Sequence, residues 1–327
     1  MKIYAFEVRN DEIASLVYCS EQYNIELKIS QEVPTINNAK DVLGYDGVTI
    51  LGQGKINREL LSLYHDYGVK YLTTRTIGYD HIDLQAAKEF GIQVCNASYP
   101  PNGVADFTVM MILMCLRNFK EGFWRGYVND FSLKGLQGKD LNSCIVGVLG
   151  TGKIGKQVIK NLSGFGCKIL AYDLYENEEV KQYATYTTLE EIYQKADIIT
   201  LHMPLLPETK HIINHESIAK MKDGIIIINC ARGELACIEA LVEGIESQKI
   251  GALGIDTLEG EQGIIHQDRR SDIISNRNWF YLHQFRNVIM TQHMAFYTVQ
   301  AVESMVLCGI EGIVEMSKGQ KYKTQIV

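Results

Sequence analysis

The chain has 327 residues, 46% hydrophobic and 22% charged, with a formal net charge of −7 and its Lys and Arg residues scattered. That balance argues against nucleic acid or an anionic membrane as the main partner. The most apolar run, residues 109–116, is far shorter than the ~20 residues a spanning helix needs.

The length suggests two domains with ample cores. Charges interrupt the opening apolar run after Phe6, too soon for a secretory signal, so a cytoplasmic protein is expected. Eight cysteines, none in a C-x-x-C pair, fall mostly in apolar strand or helix patterns, and reduced buried thiols are expected.

Residues 2–96 alternate strand and helix patterns. Strands are predicted at 2–6, 25–29, 47–51, 69–73 and 93–96, and helices at 12–18, 57–67 and 82–90. Short apolar runs alternating with helices predict a parallel, doubly wound sheet. Gly52-Gln53-Gly54 follows one strand, but no third glycine comes where a nucleotide loop needs it. Asp80 and Asp83 are placed to cap the next helix.

Pro100-Pro101-Asn102-Gly103 predicts a turn and hinge, because consecutive prolines break both helix and ladder. Residues 104–119 then read as a helix apolar nearly all round, which predicts burial at a domain or subunit interface.

Residues 145–173 carry the most chemistry. A strand-length apolar run enters Gly150-Thr151-Gly152-Lys153-Ile154-Gly155, a helical pattern follows, and a second apolar run ends on Asp173, 18 residues beyond Gly155. This is the layout of a dinucleotide-binding βαβ unit. Gly150 permits the tight turn, Gly152 leaves room for a pyrophosphate, and Gly155 lets helix and strand pack closely. Asp173 can accept from a ribose diol, and with Leu174 and Tyr175 next to it no cation stands ready for a 2′-phosphate, so NAD is expected.

The second half continues with helices near 188–194, 217–221 and 238–247, and strands at 198–201, 225–229, 251–255 and 288–291. Residues 262–286 form a polar insertion, 299–316 read as a helix, and the last basic residues as a solvated end. Together the two halves predict an α/β protein of two Rossmann-like, doubly wound parallel sheets, with the active site in the interdomain cleft.

Arg232, Glu261 and His293 each stand at or just after a strand end on the nucleotide side. An Arg can fork two hydrogen bonds onto the carboxylate of a 2-oxo acid. A protonated His can supply the proton that follows hydride arrival, and a neighbouring carboxylate can orient the ring and raise its pKa. Taken singly, each is more often a salt-bridge partner or an ordinary histidine. His211 and His215 have the spacing of a metal pair, but without a third ligand no metal is expected. His81 and His202 have no assigned task.

Gly78-Tyr79-Asp80-His81-Ile82-Asp83, the glycine turn, Asn229-Cys230-Ala231-Arg232-Gly233-Glu234-Leu235, Asp256-Thr257-Leu258-Glu259-Gly260-Glu261 and His293-Met294-Ala295-Phe296-Tyr297-Thr298 resemble the D-isomer-specific 2-hydroxyacid dehydrogenases. The resemblance covers almost the whole chain and is nearest to the D-lactate dehydrogenases, the vancomycin-resistance type among them. The separations from Arg232, 29 residues to Glu261 and 61 to His293, agree with that branch.

The resemblance implies that Arg232 binds the substrate carboxylate, Glu261 supports His293, and His293 gives and takes the proton. It implies that Gly150, Gly152, Lys153, Ile154, Gly155, Asp173, Met203, Pro204, Thr209, Cys230 and Ala231 line NAD, with Asp256 meeting the nicotinamide carboxamide. Ile77 and Gly78 would offer N–H groups to the carboxylate, and Tyr99 and Phe296 would bound the substrate side chain. Residues 1–100 with 298–327 would form a flavodoxin-like substrate domain, 101–297 the NAD domain, and the protein would be a homodimer.

Two aromatics around a small side chain favour pyruvate going to D-lactate. Larger acids (2-oxoisocaproate, 2-oxoglutarate, phenylpyruvate) stay as alternatives, as does an NAD(H)-sensing protein like the corepressors of the same fold. The usual Pro before the catalytic His is Gln292, and Ala236-Cys237 replaces the usual Val-Asp, which leaves the fine substrate preference open.

Overall fold

The computed structural model describes all 327 residues and resolves into two compact units, Met1–Pro100 with Tyr297–Val327, and Pro101–Phe296.

The first unit holds strands β1 (Lys2–Ala5), β2 (Glu26–Ile29), β3 (Gly47–Ile50), β4 (Tyr71–Thr74) and β5 (Gln93–Cys95), in the order β2-β1-β3-β4-β5. All pairings between these strands are parallel. Alternation along β1 feeds two cores. Ile3 and Ala5 pack with Leu16, Val306, Ile310 and Ile313 on one face, and Tyr4 and Phe6 with Val48, Ile50, Leu60 and Leu72 on the other. Helix Val299–Ser317 therefore closes this unit's sheet, although it lies some 200 residues beyond β5 in sequence.

The Gly52-Gln53-Gly54 turn binds its own chain. Glu7, in a left-handed conformation at φ 56°, accepts N–H donors from Leu51 (2.6 Å), Gly52 (2.7 Å), Gln53 (3.0 Å) and Gly54 (2.9 Å). A carboxylate thus fills the nest of backbone donors that such turns otherwise offer to an anion. Beside it, fully buried Arg75 donates to Glu12 Oε1 at 2.8 Å and to the Phe6 carbonyl at 2.9 Å.

The last basic residues, Lys318, Lys321 and Lys323, are exposed as expected, but the apolar residues that follow them dock on the sheet. Ile326 N–H donates to the Val94 carbonyl at 2.8 Å and Val94 N–H to the Val327 carbonyl at 3.1 Å, so the last residues cover the β5 edge that would otherwise be exposed.

The second unit holds β6 (Ile145–Leu149), β7 (Lys168–Tyr172), β8 (Thr185–Tyr186), β9 (Ile198–Leu201), β10 (Ile225–Asn229), β11 (Ile250–Ile255) and β12 (Val288–Met290), in the order β12-β11-β10-β9-β6-β7-β8. Order reverses between β6 and β9, the switch point at which doubly wound sheets bind ligands. Strands β9 and β10 are buried throughout, as a parallel sheet covered on both faces requires.

The apolar helix predicted at 104–119 is present and ends three residues early, and a second helix follows it. Asn102–Leu116 ends where Asn118 turns left-handed at φ 50°, and Phe119–Tyr127 follows. Asparagine tolerates that conformation better than other side chains, so it breaks an apolar pattern that periodicity alone would continue. Asp83 caps helix Leu84–Glu89 by accepting from Ala86 N–H at 2.9 Å, as expected. All eight cysteines are free thiols, and six are buried.

Candidate active site

The glycine turn joins β6 to helix Lys153–Ser163. Gly150 has φ +96° and no room for a side chain, since a Cβ would lie 2.6 Å from the His202 carbonyl oxygen. A Cβ on Gly155 would lie 1.9 Å from the Gly150 carbonyl oxygen, so only glycine lets the helix start this close to the turn. At Gly152 a Cβ would meet nothing within 4 Å, which leaves open space at the helix N-terminus, where a pyrophosphate meets unpaired N–H groups and the positive end of the dipole. The turn fits a dinucleotide.

Asp173 follows β7 and crosses the mouth of the turn. Its Oδ2 accepts from Thr151 N–H at 2.6 Å and Thr151 Oγ1 at 3.1 Å, and its Oδ1 from Tyr175 N–H at 3.2 Å. Tyr186 on β8 donates its hydroxyl to Thr151 Oγ1 at 2.8 Å. Thr151 and Tyr186 thus brace the acid, and β8 was not predicted because two residues are too short for a periodic signal. Lys153 is exposed and Ile154 half-buried at the helix start.

Beneath the turn lies His202, whose ring is held by Thr200 Oγ1 at 2.9 Å. Burial pushes its pKa down to about 3, so it is neutral and its task is packing. Met203 is buried, and the loop after it closes on Thr209, whose hydroxyl donates to the Pro204 carbonyl at 2.7 Å and accepts from Leu206 N–H at 2.8 Å. His211 and His215 do not share a metal. His211 Nε2 is 2.8 Å from Glu259, and His215 Nε2 is 3.2 Å from Glu243.

Arg232, Glu261 and His293 follow β10, β11 and β12, three adjacent strands, so the parallel sheet delivers them to one edge. Asn229 shapes the first loop. Its side chain accepts from Ala231 N–H at 3.1 Å and donates to the Arg232 carbonyl at 2.8 Å. Cys230 is buried within that loop.

Asp256, at the end of β11, is 1% exposed and brackets the histidine loop. Its Oδ1 accepts from Thr291 Oγ1 at 2.6 Å and Met294 N–H at 2.8 Å, and its Oδ2 from Ala295 N–H at 2.8 Å. Sequence reasoning assigned it to the cofactor. Its oxygens fix the backbone just after His293 and the Thr291 side chain just before it, a role visible only once β11 and β12 are known to pair.

His293 Nδ1 lies 2.7 Å from Glu261 Oε1, and Glu261 Oε2 accepts from Leu258 N–H at 3.0 Å. A carboxylate only accepts, so Nδ1 carries the proton in this contact. Burial alone would lower the His293 pKa; the Glu261 hydrogen bond and charge overcome it, Asp256 adds to the rise, and the Arg232 guanidinium opposes it. The net direction is up.

Phe296 stands edge-on to His293, ring centroids 6.3 Å apart. A residue the sequence did not single out completes the group: His266 Nε2 lies 3.1 Å from the His293 carbonyl oxygen. It belongs to the polar insertion, where no pattern distinguishes it.

Ile77, Gly78 and Tyr99 belong to the first unit, on loops beyond β4 and β5. The Ile77 carbonyl accepts from Asn96 Nδ2, and the Gly78 carbonyl from Thr76 Oγ1, both at 2.6 Å. Gln292 is exposed, Ala236 is buried, and Cys237 precedes helix Ile238–Glu246.

A dinucleotide turn at the switch point of one sheet, with an acid-held histidine and an arginine at the ends of the same sheet's strands, defines a nicotinamide-dependent oxidoreductase. Residues 109–295 match the family model for the NAD-binding domain of D-isomer specific 2-hydroxyacid dehydrogenases. An "Aromatic 2-oxoacid reductase" of Clostridium sporogenes is 46% identical over 94% of this chain and 93% of its own. A D-lactate dehydrogenase of Lactiplantibacillus plantarum is 35% identical over 100% of this chain and 99% of its own. The crystal structure of a D-lactate dehydrogenase from Treponema pallidum superposes with a TM-score of 0.90 at 28% identity, covering 100% of both chains. The chain belongs to the D-isomer specific 2-hydroxyacid dehydrogenases and binds NAD. No helix is long and apolar enough to cross a membrane.

Proposed function

We propose that the chain reduces an aromatic 2-oxo acid of the phenylpyruvate class to its D-2-hydroxy acid, with His293 as proton donor. The observation that carries the chemistry is the 2.7 Å contact of His293 Nδ1 with Glu261, because it fixes the tautomer and favours the protonated ring that reduction needs.

When bound, NADH would supply the hydride for the carbonyl carbon. Arg232 clamps the substrate carboxylate and polarises the neighbouring carbonyl. His293 Nε2–H points its proton at the carbonyl oxygen and delivers it as the alcohol forms. Glu261, 2.7 Å from Nδ1, keeps the ring from rotating. In the reverse direction neutral His293 takes the hydroxyl proton back.

The cofactor would be held by Gly150, Gly152, Lys153, Ile154 and Gly155 at the turn, by Asp173 at the ribose, and by Met203, Pro204, Thr209, Cys230, Ala231 and Asp256 along the strand ends. Phe296, edge-on to His293, is proposed to bound the substrate side chain.

The aromatic preference is supported by the 46% identity to a reductase named for aromatic 2-oxo acids, against 35% to a D-lactate dehydrogenase. Pyruvate, expected from the sequence, is the second reading, favoured by the structural likeness to D-lactate dehydrogenases. Initial rates of NADH oxidation with phenylpyruvate, 4-hydroxyphenylpyruvate, pyruvate, 2-oxoisocaproate and 2-oxoglutarate test it. The highest kcat/KM on an aromatic acid supports the proposal, and the highest on pyruvate replaces it with the second reading.

A homodimer is part of the proposal. Phe123 and Trp124 are 56% and 66% exposed, and Phe119 and Tyr127 are exposed beside them on helix Phe119–Tyr127, a cluster of aromatic side chains open to a partner copy. Light scattering at micromolar concentration should return twice the chain mass, and a single-chain mass would refute this part.

A further inference from the structure

His266 lies five residues beyond Glu261 in sequence, and one turn brings it back. The N–H groups of Ile264 and Ile265 both donate to the Glu261 carbonyl, at 3.0 and 3.3 Å. His266 itself takes a left-handed conformation, φ 57°. The chain that presents Glu261 to the Nδ1 side of His293 therefore also presents a second imidazole to that residue's backbone.

The second imidazole is exposed, yet it is held. Its Nε2 faces the His293 carbonyl oxygen at 3.1 Å, an atom that can only accept, so Nε2–H donates. Its ring centroid is 6.0 Å from that of His293 and 6.2 Å from that of Phe296, the latter edge-to-face at 67°. With 6.3 Å between His293 and Phe296, the three rings stand at nearly equal spacing from one another.

We propose that His266 is a specificity-determining residue, its ring forming with Phe296 and His293 an aromatic cup that receives the planar side chain of an aromatic 2-oxo acid. The inference rests on the aromatic reading above and names the residue that enforces it. Rings attract one another best at centroid separations of 4.5–7 Å in edge-to-face or offset geometry, each such pair being worth about two- to tenfold in binding. The methyl group of pyruvate has no ring to offer, so the cup discriminates by what it adds to the larger substrate. The polar insertion contributes one arm of the specificity site through a side chain that does no proton transfer.

Two variants separate the ring from its hydrogen bond. His266→Gln keeps a side-chain donor for the His293 carbonyl and removes the ring; His266→Phe keeps a ring and removes the donor. The quantity to read is kcat/KM for phenylpyruvate divided by kcat/KM for pyruvate at saturating NADH, with NADH affinity followed by fluorescence quenching to confirm that each variant is folded.

The cup predicts that His266→Gln lowers the ratio about two- to tenfold, mainly through the KM for phenylpyruvate, while His266→Phe stays near the wild-type ratio. An unmoved ratio in His266→Gln, or a ratio lost in His266→Phe and kept in His266→Gln, overturns the cup and makes His266 a brace for the His293 backbone. Failure of the underlying substrate reading looks different: the wild type itself then turns over pyruvate and not phenylpyruvate, and the cup falls with it.

Discussion

Glu261→Gln changes the proton-donating pair with almost no change in shape. In the native site both carboxylate oxygens accept, one from His293 Nδ1 at 2.7 Å and one from Leu258 N–H at 3.0 Å. An amide can supply only one acceptor, so the variant loses the negative charge and must also set its NH2 against one of two donors. The pKa of His293 rises in the native protein because Glu261 and Asp256 outweigh burial and the Arg232 charge. With Glu261 neutral, burial and Arg232 act against Asp256 alone, and the pKa falls.

A charge-assisted hydrogen bond contributes roughly 1.5–3 kcal/mol, which favours the protonated ring by about 10- to 100-fold. The sign differs between the two reaction directions. Reduction needs protonated His293, so the alkaline limb of kcat/KM for the 2-oxo acid should move to lower pH, with rates on that limb down by the same 10- to 100-fold. Oxidation of the D-2-hydroxy acid needs neutral His293, so its acid limb should also move to lower pH, and the variant should be the better oxidant there. The assay is absorbance of NADH at 340 nm across buffers of constant ionic strength. A reduction limb that stays in place or moves up would refute the reasoning.

His293→Ala should cut turnover by about 10²–10⁴-fold while leaving NADH affinity nearly intact, read by single-turnover absorbance and fluorescence quenching; an unaffected rate would remove His293 from the chemistry. Gly155→Ala puts a Cβ 1.9 Å from the Gly150 carbonyl oxygen, and forcing the turn open should cost about 1–3 kcal/mol of stability and weaken NADH binding; wild-type melting and affinity would mean that the contact is relaxed. Asp173→Ala should narrow the preference for NADH over NADPH in steady-state kcat/KM, and an unchanged ratio would take the ribose from Asp173.

What the sequence showed and what it hid divide along physical lines. Strands β9 and β10 were legible because a parallel strand buried on both faces is a continuous apolar run bounded by turns. The glycine turn was legible from its spacing, and the structure shows the steric demand at Gly150 and Gly155 and open space at Gly152. Arg232, Glu261 and His293 could be placed at one sheet edge because strand ends in a parallel sheet converge.

The remainder depends on contacts across the sequence. Glu7 filling the Gly52–Gly54 nest needs β1 beside β3, and the docking of Ile326 and Val327 on β5 pairs residues more than 200 positions apart. The family resemblance implies a cofactor contact for Asp256, and its hold on Met294 and Ala295 emerges only from the β11–β12 register. His266 lies in a polar stretch without periodicity, and only the fold reveals that it reaches the backbone of His293.

The central claim is that this site delivers hydride and proton so as to give the D alcohol. The most direct measurement is the configuration of the product formed from phenylpyruvate and NADH by the wild-type protein, resolved by chiral chromatography against both phenyllactate enantiomers. The account predicts the D enantiomer alone, formed in equal molar amount to the NADH consumed. The L enantiomer, a racemate, or NADH binding with no turnover of any 2-oxo acid would contradict it, the last in favour of an NAD(H)-sensing protein.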